Sequence, residues 1–499
     1  MTVAARVRAL AIATLVAGAL LAGPTPRAAS DAPVVVGSKV FTESVILGEI
    51  IKQTLERSGV PAVHRRELGG TRVVFDALRH GQVDVYAEYT GTLYQELLRP
   101  VQDEAARAAQ LRALGVDIAV SLGFSDTYVL GTRDNFAAST GLNGISDLRT
   151  RPQVRLGFSN EFMNRADGWP ALKRFYGLPQ SNVRGLDHQL AYRAVLSGDL
   201  DVTDFYSTDP EITRYRLRVL ADDRHFFPGY DAVLLTRAAL PARARAVLAR
   251  LGGRISTEQM SRMNAAVTLD GRSETEVAHA FVDRLFGERT AAARPSRVTE
   301  IAQFTAEHLL LSGASLAAAV LLGLPLGIVA ARRQRFGRLV LGVAGIVQTV
   351  PSLALLVFMI PLLGIGFTPA AVALFLYSLL PIIRNTCTGL LDIPRPLNES
   401  AIALGLDSWA RLRLIELPLA TRPVLAGIKT AAVINIGTAT LGALIGAGGY
   451  GQPILTGIRL NDVGMILEGA VPAALLALLV QWSFDGIERW LLPRANRSS

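Results

Sequence analysis

The chain has 499 residues, half of them hydrophobic, with a formal net charge of +9 and one cysteine, Cys387. That length points to two or three domains, and one cysteine excludes an internal disulfide or a cysteine metal cluster; the six histidines lack ligand-like spacing, so neither metal nor cofactor is expected. Nucleic acid is not expected either, because much of the basic charge (Arg332, Arg333, Arg335, Arg338, Arg384, Arg395, Arg411, Arg413) borders apolar runs, where positive-inside bias accounts for it.

At the N-terminus, Arg6 and Arg8 precede the apolar run Ala9 to Leu21, which is too short to span a bilayer comfortably. Pro24, Pro26 and Ala28-Ala29-Ser30 follow, so residues 1–30 read as a secretion signal, with a retained anchor as the alternative. Either way, the chain after about residue 31 is exported. From there to residue 288 short β-rich runs alternate with helical patterns, as in α/β folds. Strands are expected at Val34-Val35-Val36, Val83 to Tyr86, Val154 to Gly157 and from Asp201; helices are expected at Ser44–Ser58, Thr71–Arg79, Gly168–Tyr176 and Leu190–Leu196. That length suits two α/β lobes around a cleft. Lysine occurs only as Lys39, Lys52, Lys173 and Lys429, so in this arginine-rich chain Lys39 marks a place that wants a compact point charge. Residues 289–307, with Arg294-Pro295-Ser296, read as a linker.

Residues 308–491 carry apolar runs at 308–331, 338–363, 368–383, 424–447 and 464–484, each near the roughly 20 residues that cross a bilayer. About five transmembrane helices are therefore expected. With the first half exported, five crossings put Arg332–Arg338, Arg384 and the Arg494 tail inside, as the positive-inside rule asks. The run over 338–366 contains Pro351 and Pro361 and reads alternatively as a broken pair of segments.

Between two runs lies the polar stretch Glu399-Ser400-Ala401, Gly405 and Ile415-Glu416-Leu417-Pro418. Its pattern suits a short helix, a turn at Gly405 and a second helix stopped by Pro418. The spacing resembles the coupling loop of ABC importer permeases, E-A-A-x3-G-x9-I-x-L-P, on Glu399, Ala401, Gly405, Ile415, Leu417 and Pro418, with Ser400 as the departure. The sequence has no Gly-Lys dipeptide and hence no Walker A loop, so the resemblance implies a separate cytoplasmic ABC ATPase dimer as partner.

The exported half resembles the binding proteins of osmoprotectant importers. The resemblance rests on Gly37 to Glu43, Leu68-Gly69-Gly70-Thr71, Tyr86 to Thr92, Tyr206-Ser207-Thr208-Asp209 and Asp222 to Tyr230. The membrane half is similar to the permeases of the same systems at Gln348 to Ala354 and Leu380 to Thr386. The implied fold is a two-lobed α/β binding-protein domain followed by an all-α polytopic membrane domain.

A quaternary ammonium has no N–H to donate, so aromatic faces rather than hydrogen bonds must select it. The family's tyrosine cage maps onto Tyr89, Tyr128, Tyr206 and Tyr230, with the backbone carbonyl of Asp126 beside it; its carboxylate clamp maps onto Lys39, Thr92 and Arg165. Cage and clamp together favour a zwitterion such as glycine betaine, because choline would leave two cations poorly compensated. The implied protein is a multi-pass subunit of the bacterial cytoplasmic membrane with its receptor domain outside, paired as a homodimer and not an enzyme. Choline, carnitine or ergothioneine uptake is the alternative within that class, and a membrane-anchored ligand sensor is the alternative outside it.

Overall fold

The computed structural model describes residues 32–98, 103–287, 297–460 and 462–491. The expected secretion signal and the Arg494 tail lie outside those residues. The described chain divides into two compact units on either side of about residue 294.

The first unit has ten strands among its described residues: β1 (Val34–Gly37), β2 (Ala62–Arg65), β3 (Val85–Tyr89), β4 (Val116–Ser125), β5 (Tyr128–Arg133), β6 (Gly157–Ser159), β7 (Arg184–Leu186), β8 (Val202–Tyr206), β9 (Leu217–Val219) and β10 (Asp231–Arg237). One lobe is a sheet in the order β2-β1-β3-β10-β4, parallel at β2-β1-β3 and antiparallel where β10 joins β3 and β4. The other lobe is β8-β5-β9, antiparallel, beside the parallel pair β6-β7, which approaches β8 through the bridge Leu156–Val202. The β-branched run Val34-Val35-Val36 forms β1, and Val36 is fully buried. Helix α1 (Thr42–Arg57) covers this sheet with Ile46, Leu47, Ile50, Ile51 and Leu55, all buried. Helices α2 (His188–Ser197), α3 (Pro210–Arg214) and α4 (Thr257–Thr268) complete the elements that the site uses.

Strands β1, β3, β6 and β8 end, and β5 and β10 begin, near one another. Carboxyl ends of strands in open α/β sheets are where ligands settle, and this topology gathers them. The strands expected at Val34–Val36, Val83–Tyr86 and from Asp201 are present as β1, β3 and β8, whereas the one expected at Val154–Gly157 starts only at Gly157, as β6. The antiparallel strands β4, β5, β9 and β10 were not anticipated: β5 and β10 lack strict alternation because both faces are buried (all but the end residues of β10).

In the second unit, helix α5 (Arg297–Arg332) already occupies the last part of the expected linker, residues 297–307, while 289–296 lie outside the described residues. Then come α6 (Gln334–Thr349), α7 (Ser352–Leu363), α8 (Phe367–Leu391), α9 (Arg395–Ala403), α10 (Ser408–Arg411), α11 (Leu417–Ala439), α12 (Gly451–Leu460) and α13 (Val463–Leu491). Four described helices are long and apolar enough to cross a membrane, and the pair α6 and α7, bent by 100°, makes up to five. Pro351 sits at that bend as the residue before α7, because a proline cannot continue α6. The broken-pair reading of this stretch is the one observed. Helices α5 and α8 approach closely at Gly327, where an added Cβ would lie 2.6 Å from Thr386.

Candidate functional site

Antiparallel pairing of β5 with β8 sets Tyr128 directly opposite Tyr206, with ring centroids 5.2 Å apart. Tyr89 ends β3, and Tyr230 precedes β10, with its ring 5.8 Å from Tyr128 in an edge-on arrangement. Lys39 follows β1 in a loop pinned by its own N–H to Ser44 Oγ at 2.9 Å and by the Val40 N–H to the Gly69 carbonyl at 3.2 Å. One cavity of about 310 Å³ is lined by all eight expected residues (Lys39, Tyr89, Thr92, Asp126, Tyr128, Arg165, Tyr206, Tyr230) together with Phe41 and Glu161.

The charged groups are buried and paired. Lys39 Nζ donates to Glu88 Oε1, which also accepts the Tyr89 N–H at 2.9 Å, while Glu88 Oε2 takes the Tyr86 hydroxyl at 3.0 Å. Arg165 grips Asp167 through two hydrogen bonds of 2.7 Å, from Nε and Nη2, and also donates to Thr92 Oγ1 at 3.3 Å. Asp167 Oδ2 accepts the Tyr230 hydroxyl at 2.7 Å, so one carboxylate holds a cage ring and the guanidinium together. Glu161 lies 3.5 Å from Arg165 and takes the Thr71 hydroxyl at 3.0 Å, tying the two lobes. The expectation that Lys39 and Arg165 lack compensating charge is therefore corrected. Each has a carboxylate of its own: Asp167 stands two residues after Arg165, and Glu88 comes to Lys39 from 49 residues away.

The cations also touch the rings: Lys39 Nζ lies 5.5 Å from the Tyr89 centroid and 5.9 Å from that of Phe41, and the Arg165 guanidinium 5.4 Å from that of Tyr128. Tyr89 donates its hydroxyl to Glu43 Oε1 at 2.5 Å, and Glu43 Oε2 takes Thr208 at 2.6 Å and Asn264 at 2.8 Å. Burial pushes the Glu43 carboxyl up, although those hydrogen bonds pull it back. Burial, with Glu43 and Asp209 nearby, holds Asp126 well above the usual carboxylate range. The Asp126 side chain accepts from Ser207 Oγ and the Thr208 N–H at 3.2 and 3.1 Å. Its own N–H donates to the Tyr230 carbonyl at 3.0 Å. Sequence reasoning missed Phe41 and Glu161 as wall residues, although Phe41 lies within a quoted motif and Glu161 one helical turn before Arg165.

In the membrane unit, α9 carries Glu399 exposed and Ala401 fully buried. The turn at Gly405 has φ +77°, which glycine adopts without strain. Ile415 and Leu417 are half-buried. Pro418 does not stop a helix, which corrects that expectation: it stands in the first turn of α11, and α10 through α11 reads as one span from Ser408 to Ile445. A π-helical turn over Leu412–Glu416 widens the backbone just before the proline and so eases the clash of its ring with the preceding turn. Glu416, which the motif does not name, is buried and accepts from Arg332 at 3.1 Å and Arg411 at 2.9 Å.

The fold and this cavity define an extracytoplasmic-type binding-protein domain followed by a polytopic helical membrane domain. Residues 32–284 match the family model described as the substrate binding domain of ABC-type glycine betaine transport systems, and residues 323–497 match the binding-protein-dependent transport system inner membrane component. The chain is 42% identical over 195 residues to a glycine betaine/carnitine/choline transport system permease protein of Bacillus subtilis, covering 39% of this chain and 90% of that protein. It is 41% identical over 202 residues to an osmoprotectant import permease protein of Salmonella typhimurium, covering 40% of this chain and 94% of that protein. A crystal structure of a glycine betaine/carnitine/choline ABC transporter is 27% identical, with a TM-score of 0.43, and covers 51% of this chain and 99% of that one. The chain belongs to the ABC-type glycine betaine transport family, with substrate-binding domain and permease in one polypeptide. It is a multi-pass inner-membrane transporter component, and its permease domain implies a partner ATPase.

Proposed function

We propose that residues 31–288 capture a quaternary-ammonium osmoprotectant outside the membrane and deliver it to the permease domain, 308–491, of the same chain, with residues 1–30 directing export. The observation that carries this is the single cavity in which Tyr89, Tyr128, Tyr206 and Tyr230 meet Lys39, Thr92 and Arg165. A desolvated cation on such a face gains up to about 2 kcal/mol per contact. Asp126 offers a backbone carbonyl to the methyl groups. Glycine betaine is the first choice, its carboxylate taken by Arg165, Thr92 and Lys39 in exchange for part of their pairing with Asp167 and Glu88. Carboxylate pairing of both cations supports a second reading, choline, since neither cation then needs an anionic ligand. The segment from Glu399 to Pro418 would receive an ATPase dimer, and two fused chains would pair around one path.

Calorimetry on the full chain in lipid nanodiscs tests the site. Tyr206→Ala is expected to weaken glycine betaine binding by roughly 30-fold, the equivalent of one such contact. Arg165→Ala should remove betaine binding altogether while sparing choline if choline is the true cargo. Wild-type betaine affinity in either variant would overturn the assignment.

A further inference from the structure

Tyr206 stands between two cavities. The second, of about 370 Å³, shares Phe41, Asp126 and Tyr206 with the first and includes His188 in its wall. His188, at the start of α2, stacks against Tyr206 with centroids 4.5 Å apart and planes 32° apart. Its Nε2 lies 3.1 Å from Asp209 Oδ2, and that oxygen also accepts the Tyr206 N–H at 2.8 Å and the Tyr192 hydroxyl at 2.5 Å. The Tyr192 ring meets the imidazole edge-on at 5.4 Å.

The groups that face His188 are Asp209 and Glu211 from α3 and the turn before it, Asp204 from β8, and Tyr192 from α2, with Glu43 and Asp126 across the cavity. All the charged ones are carboxylates. Burial works against a charge on His188, but the Asp209 carboxylate and its hydrogen bond outweigh that and push the imidazole up to about 9. The Asp209 contact therefore favours an imidazolium against the cage ring, with Nε2 paired and the buried Nδ1 without a hydrogen-bond partner among the described residues.

We propose that His188 is a positioning residue that sets a positive charge behind Tyr206 and so limits how tightly the cage holds a quaternary ammonium. This rests on the cargo reading above. Two like charges on one ring repel each other through it, so removal of the proton must strengthen the hold on a cation. A receptor that hands its cargo to a permease gains from a hold below the maximum.

Glycine betaine binding to the full chain in nanodiscs, measured by calorimetry from about pH 7 to 10, is the test. His188→Gln is expected to bind roughly three- to tenfold tighter near pH 7. Wild-type affinity should rise through about pH 9 relative to the variant and converge on it. Glu211, pushed up to about 7 by burial and by Asp209, is itself held down by the His188 charge, so it protonates more readily in the variant; that works against tighter binding there and does not mimic it. A merely structural histidine would weaken binding when replaced. Should the variant fail to fold, the wild-type profile decides alone: a rise through about pH 9 supports the inference. A flat profile, or equal or weaker binding by the variant, overturns it while leaving the cargo reading in place. No binding by the wild type at any pH overturns both.

Discussion

Asp167 shows how finely the cavity depends on single atoms. One of its oxygens serves both the Arg165 guanidinium and the Tyr230 hydroxyl, so clamp and cage move together. The same ring leaves no room behind it. A Cβ added at Gly91 would lie 2.4 Å from two carbons of Tyr230. Gly91→Ala is therefore expected to displace the ring and lower betaine affinity at least roughly tenfold, with overpacking costing about 1–3 kcal/mol. Calorimetry beside a melting curve checks this: unchanged affinity would show that the ring has freedom to move. At this scale the scarcity of lysine pointed to Lys39, which the structure buries against Glu88. Its partner Glu88 stands 49 residues away and was not legible, because a salt bridge across a sheet leaves no periodic trace.

Among elements, the membrane helix that follows the Glu399–Pro418 segment is anchored by Glu416. This carboxylate joins Arg332 at the end of α5 to Arg411 in α10, and Arg332 also donates to the Ser408 carbonyl at 3.1 Å. Glu416→Ala leaves two guanidinium groups without that partner, at a cost of about 1–2 kcal/mol after discounting for their exposure. The expected outcome is a complex whose ATPase activity no longer responds to betaine while calorimetric binding by the exported domain is unchanged. Retained stimulation would mean that this pairing does not transmit the ATPase stroke. The motif spacing located this segment, but not its backbone: a proline read as a stop proved to begin a helix, since the π turn before it had already made room. Similarly, the apolar run over 338–363 had the composition of one span, and the chain turns by 100° within it.

For the whole molecule, tethering the binding domain to its permease should raise its effective concentration there to the millimolar range, which would make a diffusing binding protein unnecessary. Proteoliposomes that contain this chain and its ATPase should accumulate betaine with ATP and no added receptor. A need for an added soluble receptor would separate the two halves in function. An inner-membrane importer was legible from the chain alone because its signals are local: apolar runs long enough to cross lipid, arginines at their ends and a motif of set spacing. These patterns survive in any fold that the chain adopts. What tertiary structure alone decided was the balance of charge in the cavity and the placement of His188 behind Tyr206. Lys39 finds Glu88 from 49 residues away and His188 meets Tyr206 from a separate helix, because burial makes every unpaired charge costly and so dictates partners that no short sequence window contains.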